Sequence, residues 1–322
     1  MECTRVKLAL TCLGLITIVL IQILYISSKL GVNCDIKDVF FKYEIGKNFK
    51  SSEILPAKVE RERQLPDALI IGVRKGGTRA LLDAMALHPQ IKAARREVHF
   101  FDQNETYSLG IEWYRQQMPF SHSGQLTIEK TPAYFASSIT PSRVYQLNKN
   151  MKIIIILRDP VIRTISDFTQ VLYTKLERNK TQPIFENVAF LPNSKKINID
   201  FKPIRNSLYY LHLKNWLQYF PLENFLFLNG EKFVINPLTE LKKVEHFFNL
   251  SNAITDDQLF YNPIKGFYCF RRKEKHNARC LGSSKGRAHV PISAITKEHL
   301  SKNFQPYNEK FFKLINQRFN WI

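Results

Sequence analysis

The longest apolar run in the chain, "LALTCLGLITIVLIQILYI" from Leu8 to Ile26, is 19 residues without a charge. At 1.5 Å of rise per helical residue it extends about 28 Å, close to the thickness of a bilayer core. It is expected to be a membrane span, with residues 1–7 as a cytosolic tail. Arg5 and Lys7 precede it and Lys29 follows it, a bias that keeps the N-terminus cytosolic and sends the rest of the chain to the lumen. A cleaved signal peptide is the competing reading, but it would have a shorter apolar region and a small-residue cleavage site. Residues 27–66 are polar, mixed in charge and without sustained periodicity, and read as a stem. From Asp67 the pattern changes. "ALIIGV" (Ala68 to Val73) is an apolar strand, "RKGGT" (Arg74 to Thr78) a basic, glycine-rich turn, and Leu81, Leu82, Met85 and Leu87 recur at helical spacing. "AARREVHFFD", "LTIEKTPAYF" and "MKIIIILRDP" are further apolar or β-branched runs that end in charged residues, as strands with chemistry at their C-terminal ends would. Helical patterns cover Val161 to Lys175, Ser207 to Tyr219 and Leu238 to Phe248. Strands alternating with helices predict an α/β domain over residues 67–322, with a mainly parallel central sheet flanked by helices. Ligands of such sheets gather at the C-terminal strand edge.

Composition narrows the partner. With 47 basic residues against 28 acidic ones the formal charge is +19, so the surface is broadly positive and suits a polyanion. Nucleic acid is the first candidate from charge alone, but the membrane span argues against it. Three N-x-[ST] sequons, at Asn104, Asn179 and Asn249, lie beyond the span and fit a secretory route with glycosylation. Of the five cysteines, Cys3 and Cys12 fall before or within the span and Cys34 has no assigned role. Cys269 and Cys280 are near enough in sequence to close a short disulfide loop in an oxidising lumen. No histidine or cysteine pair with ligand spacing accompanies them, so no metal site is expected. His88, His212 and His246 are read as structural or surface residues.

The turn after the first strand has the layout of a phosphate-binding loop, but not that of nucleotide triphosphatases. In G-x-x-x-x-G-K-[ST] the lysine follows the second glycine; here Gly77 is followed by Thr78, and Lys75 precedes the glycine pair. Loop amides, a helix N-terminus and the cations Lys75 and Arg79 still suit a phosphate. Arg158 at a strand end and Ser166 near the start of the next helix offer a grip on a second phosphate. Kinase chemistry is disfavoured by the misplaced lysine and the lack of a magnesium-binding pair.

In combination these strings are far more specific than singly. "GVRKGGTRALL", "EVHFFD", "EKTPAYF", "LRDP" with "SDFTQVLY", "KGFYC" and "SKGRAH", in that order, resemble the heparan sulfate glucosamine 3-O-sulfotransferases over nearly all of residues 67–322. The resemblance implies the sulfotransferase fold and the donor 3′-phosphoadenylyl sulfate (PAPS), with its 5′-phosphosulfate end on Lys75, Gly76, Gly77, Thr78 and Arg79. It implies that Arg158 and Ser166 hold the 3′-phosphate, that Ser284, Lys285, Gly286, Arg287 and Ala288 form a loop closing over the donor, and that Tyr268 lies beside it. A sugar hydroxyl is a poor nucleophile until its proton is removed, and the match assigns that task to Glu97, with His99 and Asp102 orienting the glutamate or the acceptor. Lys75 would stabilise charge on the leaving phosphate. Arg74, Lys130, Thr131, Gln170 and Val171 fall in motifs implied to contact the acceptor, a heparan sulfate chain. No obligatory metal is implied. The expected setting is the Golgi membrane, single-pass type II, with the catalytic domain luminal. Two rival readings are another luminal sulfotransferase, such as a glucosamine N-sulfotransferase sharing the donor loop, and a non-catalytic heparin-binding membrane protein. The presence of Lys75, Glu97 and Arg158 together argues against the latter.

Overall fold

The computed structural model describes residues 61–273, 278–282 and 286–321. The expected span and Cys34 lie outside the described residues, as do Ser284 and Lys285. Five strands form the central sheet: β1 (Ala68–Gly72), β2 (Ile91–Ala93), β3 (Leu126–Lys130), β4 (Lys152–Leu157) and β5 (Phe225–Asn229). Their spatial order is β2-β3-β1-β4-β5, and every pairing is parallel. All C-terminal strand ends therefore share one edge.

The two strands at the centre explain why the sequence reads as continuous apolar runs there. Leu69 and Ile71 of β1 enter one core with Ile153, Ile155 and Leu157 of β4, while Ala68 and Ile70 enter another with Ile154 and Ile156. Successive side chains point to opposite faces, and both faces are covered. On the second face lie α1 (Thr78–Met85), through Leu81, Leu82, Ala84 and Met85, and α4 (Pro237–Phe247), through Leu241 and Val244. The first face is covered by α3 (Tyr209–Trp216) and by α5 (Ala294–Ile315), which contributes Phe311, Phe312 and Ile315. Between α1 and α3 in sequence, α2 (Pro160–Glu177) starts from Asp159, whose carboxylate accepts from the Val161 and Ile162 amides at 2.7 and 3.0 Å, with Pro160 in the first turn.

Three expectations change. "AARREVHFFD" is not a strand beyond Ala93: the chain leaves the sheet edge, and the amides of Val98 and Phe100 are satisfied by side-chain oxygens of Thr131 and Tyr134 instead of by a neighbouring strand. Strand β5 and helix α5 are elements the pattern did not single out. Residues assigned to the stem already belong to the folded unit, since Glu62–Arg63 pairs antiparallel with Phe120–Ser121.

A hairpin of β6 (Leu259–Asn262) and β7 (Phe267–Phe270) carries Tyr268 and Cys269. Cys269 is joined to Cys280 by a disulfide, and the returning chain bridges Phe270 through Arg279. Asn104, Asn179 and Asn249 are all exposed.

Candidate active site

The loop after β1 is shaped by close backbone approach. A Cβ on Gly76 would lie 2.6 Å from the Ile156 carbonyl and 2.7 Å from the Val73 side chain, so only glycine fits. Gly77 has φ 102°, a left-handed conformation that glycine adopts without strain, and it caps α1. Between them and the strand, Lys75 takes φ 69°, unusual for a residue with a side chain. A second strand end fastens this loop. The Arg158 guanidinium donates through Nη1 to the Lys75 carbonyl at 3.2 Å, and the Tyr209 hydroxyl donates to the Arg158 carbonyl at 2.7 Å. Burial lowers Arg158 below the ordinary arginine value, opposed by the charge of Glu231. Ser166, buried on α2, follows Arg158 along the same edge.

Arg74 is held from below. Its Nε donates to Asp167 at 2.8 Å, and Asp167 in turn accepts from Arg163 Nη1 at 2.9 Å. Arg163 is 0% exposed; it also donates to the Arg74 carbonyl at 3.2 Å, to Ser207 Oγ at 2.6 Å and to the Pro203 carbonyl. Burial pushes the Asp167 carboxyl up, but the charges and hydrogen bonds of Arg163 and Arg74 outweigh it, and the net shift is downward. Sequence reasoning missed Arg163 and Asp167. Their i,i+4 spacing is visible, but such a pair ordinarily marks a solvated helix face, and only burial turns it into a loop anchor.

At the β2 and β3 ends a second cluster forms. The Lys130 ammonium pairs with Glu97 Oε1, and His99 Nε2 lies 3.8 Å from Glu97 Oε2. His99 Nδ1 contacts Asp102 at 2.9 Å. The hydrogen bond to Asp102 raises His99, assisted by the charges of Asp102, Glu97 and Glu129 and opposed by partial burial. The Glu97 side chain is 43% exposed and the Lys130 side chain only 4%, so the carboxylate is open to solvent while the cation supports it from inside. Glu97, His99, Asp102 and Lys130 are thereby gathered in one cluster.

Thr131 is fully buried; its hydroxyl donates to Glu129 and accepts from the Val98 amide. Arg79 is engaged with Asp83 at 3.1 Å and with the Arg95 carbonyl at 2.7 Å. Gln170 and Val171 are half-buried on α2, with Gln170 Nε2 3.4 Å from Thr174 Oγ1. Gly286, Arg287 and Ala288 run along α2: the Arg287 guanidinium stacks over Tyr173 at 4.8 Å, and the Val290 amide donates to Thr169 at 3.2 Å. Among the described residues Arg287 Nη1 is buried without a hydrogen-bond acceptor, as a donor awaiting an anion would be. His289, not singled out from sequence, is lowered by burial and by the charges of Arg158, Lys75 and Lys297, which places this segment in the electrostatic field of the phosphate loop. A glycine cradle, an orphaned guanidinium nitrogen and converging cations together fit a donor bearing phosphate groups.

Glu129, also missed, is fully buried at the end of β3. Burial raises its carboxyl from 4.5 to about 7, against the hydrogen bonds of Thr131 and Val98 and the charge of Lys130. Because the folded value lies above the unfolded one, Glu129 contributes stability fully below pH 4.5 and loses it as pH rises through about 7. A shift of that size corresponds to about 3 kcal/mol. Urea unfolding across this range should therefore show the wild type losing stability relative to Glu129→Gln as pH rises. Parallel pH curves for the two proteins would mean that Glu129 titrates as an ordinary carboxyl.

The sulfotransferase domain family matches residues 65–314. A solved sulfotransferase from Alicyclobacillus acidocaldarius superposes with a TM-score of 0.58 at 18% identity, over 80% of this chain and 98% of that one, a likeness of fold alone. Heparan sulfate glucosamine 3-O-sulfotransferase 5 of Mus musculus is 48% identical over 261 residues, covering 80% of this chain and 75% of its own length. The Homo sapiens protein of the same name matches to the same extent. Heparan sulfate glucosamine 3-O-sulfotransferase 3A1 of Mus musculus is 41% identical over 264 residues, 81% of this chain and 66% of that protein. Identity of this degree across a whole folded domain, on top of the shared motifs, assigns the chain to the heparan sulfate glucosamine 3-O-sulfotransferase family.

Proposed function

We propose that this protein transfers a sulfuryl group from PAPS to the 3-hydroxyl of a glucosamine residue in heparan sulfate, with Glu97 as general base. The observation that carries the mechanism is the solvent-exposed Glu97 carboxylate, supported by Lys130 and flanked by His99 and Asp102, on the same sheet edge as the loop after β1. PAPS supplies an activated sulfuryl group with a phosphate leaving group. The residues suited to hold it are Lys75, Gly76, Gly77 and Thr78 at the 5′ end, Arg158 and Ser166 at the 3′-phosphate, and Arg287 alongside. Glu97 takes the proton of the attacking hydroxyl, at an oxygen within reach of His99. Lys75 and the loop amides favour the charge that develops on the departing phosphate. Arg74, its Nε fixed by Asp167, is oriented for a sulfate or carboxylate of the acceptor.

The same reading extends to the cell. A Golgi type II membrane protein, anchored by residues 8–26 and glycosylated at the three sequons, accounts for the uncharged N-terminal run and is supported by the Cys269–Cys280 disulfide, which suits an oxidising lumen. Among the described residues no helix is long and apolar enough to cross a membrane.

The full chain incubated with sulfur-labelled PAPS and heparan sulfate, followed by enzymatic digestion and disaccharide analysis, is expected to place label on the glucosamine 3-hydroxyl. Label on the glucosamine nitrogen or on another hydroxyl would overturn the assignment of position, and no incorporation would overturn the activity.

A further inference from the structure

The turn that carries Glu97 is gripped twice by the end of one strand. Lys130, the last residue of β3, reaches up to the Glu97 carboxylate. Its neighbours on either side, Glu129 and Thr131, point the opposite way and take hold of the backbone beneath: Thr131 Oγ1 accepts the Val98 amide at 3.1 Å and donates to Glu129 Oε1 at 2.5 Å. Both residues are 0% exposed. The next link is of the same kind, since the Tyr134 hydroxyl accepts the Phe100 amide at 3.0 Å. On the far side the Thr106 hydroxyl donates to the His99 carbonyl at 2.5 Å. These ties hold His99 at φ 54°, a left-handed conformation that costs energy for any residue with a side chain. A threonine hydroxyl has one proton to give. With Glu129 taking that proton, the oxygen lone pairs of Thr131 are directed to the Val98 amide, and Glu129 thus fixes the polarity of the chain Val98 N–H, Thr131 O–H, Glu129.

We propose that Thr131, backed by Glu129, is a positioning residue that sets the direction of the Glu97 carboxylate through the Val98 amide. It touches neither donor nor acceptor. The proposal rests on the reading of Glu97 as the base. The strand end then divides its work by side-chain alternation: the outward residue holds the carboxylate, and the two inward residues hold the peptide to which that carboxylate is attached. Displacement of a reacting group by about 1 Å can cost about 10²-fold in rate, so the effect belongs in turnover and not in donor binding.

The test compares Thr131→Val, which keeps the shape and removes the hydroxyl, with Thr131→Ser, which restores it, in the full chain. Thr131→Val is expected to lower kcat about 10-fold or more with KM for PAPS within about twofold of wild type, and Thr131→Ser to recover kcat to within about threefold. Made in the Glu97→Gln background, Thr131→Val is expected to cost little further, since a carboxylate that no longer acts cannot be misdirected. An unchanged kcat in Thr131→Val would overturn the proposal. So would a parallel rise in KM for PAPS, or the same fold loss in the Glu97→Gln background, because either would put the hydroxyl's effect elsewhere. If Thr131→Val does not fold, Thr131→Ala reads the same quantities against Thr131→Ser. Failure of the base assignment looks different: Glu97→Gln alone would then turn over like wild type, whatever Thr131→Val does.

Discussion

Glu97→Gln is expected to lower turnover by about 10² to 10⁴, the usual contribution of a well-placed general base, while leaving PAPS affinity within about twofold. The substitution keeps the size and one carbonyl oxygen, so the contact with Lys130 is weakened but not abolished, and the His99–Asp102 contact is untouched. What is lost is the capacity to take a proton. The proposed donor site is a different part of the sheet edge, the β1 loop and the Arg158 strand end, fastened by their own hydrogen bonds. The two halves of the prediction are read separately, turnover from initial rates at saturating donor and affinity from calorimetry with PAPS. Near wild-type turnover in Glu97→Gln would remove the base from this residue. A loss of PAPS affinity matching the loss of rate would move Glu97 to the donor site.

The second large effect concerns the donor's 3′-phosphate. Adenosine 5′-phosphosulfate, which lacks it, is expected to bind about 10- to 150-fold more weakly than PAPS. The range follows from the loss of one hydrogen bond to a charged group, about 1.5 to 3 kcal/mol, at 1.4 kcal/mol per tenfold. The prediction rests on the surroundings of Arg158: burial lowers its basicity, the Glu231 charge opposes that, and its Nη1 is already engaged with the Lys75 carbonyl. Its remaining donors favour an anion of fixed position over water. In Arg158→Ala the preference for PAPS should shrink to a few-fold, because the discriminating cation is gone. Equal affinity of the wild type for the two donors would separate the "LRDP" motif from 3′-phosphate recognition. Persistence of the full preference in Arg158→Ala would assign it to another residue.

Those two predictions draw on residues that were legible in the sequence for different reasons. Lys75, Gly76 and Gly77 stand out because a basic, glycine-rich turn between an apolar strand and an amphipathic helix has few other uses, and the structure places there a glycine too crowded for a Cβ and another at φ 102°. Glu97 and Arg158 were legible only within longer strings, since a charged residue at the end of an apolar run is otherwise a solvated surface group. Arg163, Asp167 and Glu129 carried no such signal. Each is polar within a patterned element, and each acts through burial that the linear pattern does not contain.

By itself the sequence determined the parallel α/β architecture, because β1 and, after Lys152, β4 are continuous apolar runs, and only a sheet covered on both faces accommodates that. It also determined the phosphate loop, through glycines placed where backbones approach, and the start of α2, through Asp159 followed by Pro160. The tertiary structure alone decided what "EVHFFD" becomes. Its apolar residues suit a strand, but after Ala94, whose amide still donates to the Ile128 carbonyl, the chain turns away from β3, and side chains at the end of β3 and in the turn after it take the amides instead. It alone decided that Thr131 faces inward while Lys130 faces Glu97, and that Glu129 titrates near 7. The physical reason is common to all three: hydrogen-bond partners and desolvation are set by which segments meet in space, and residues from distant parts of the chain supply both.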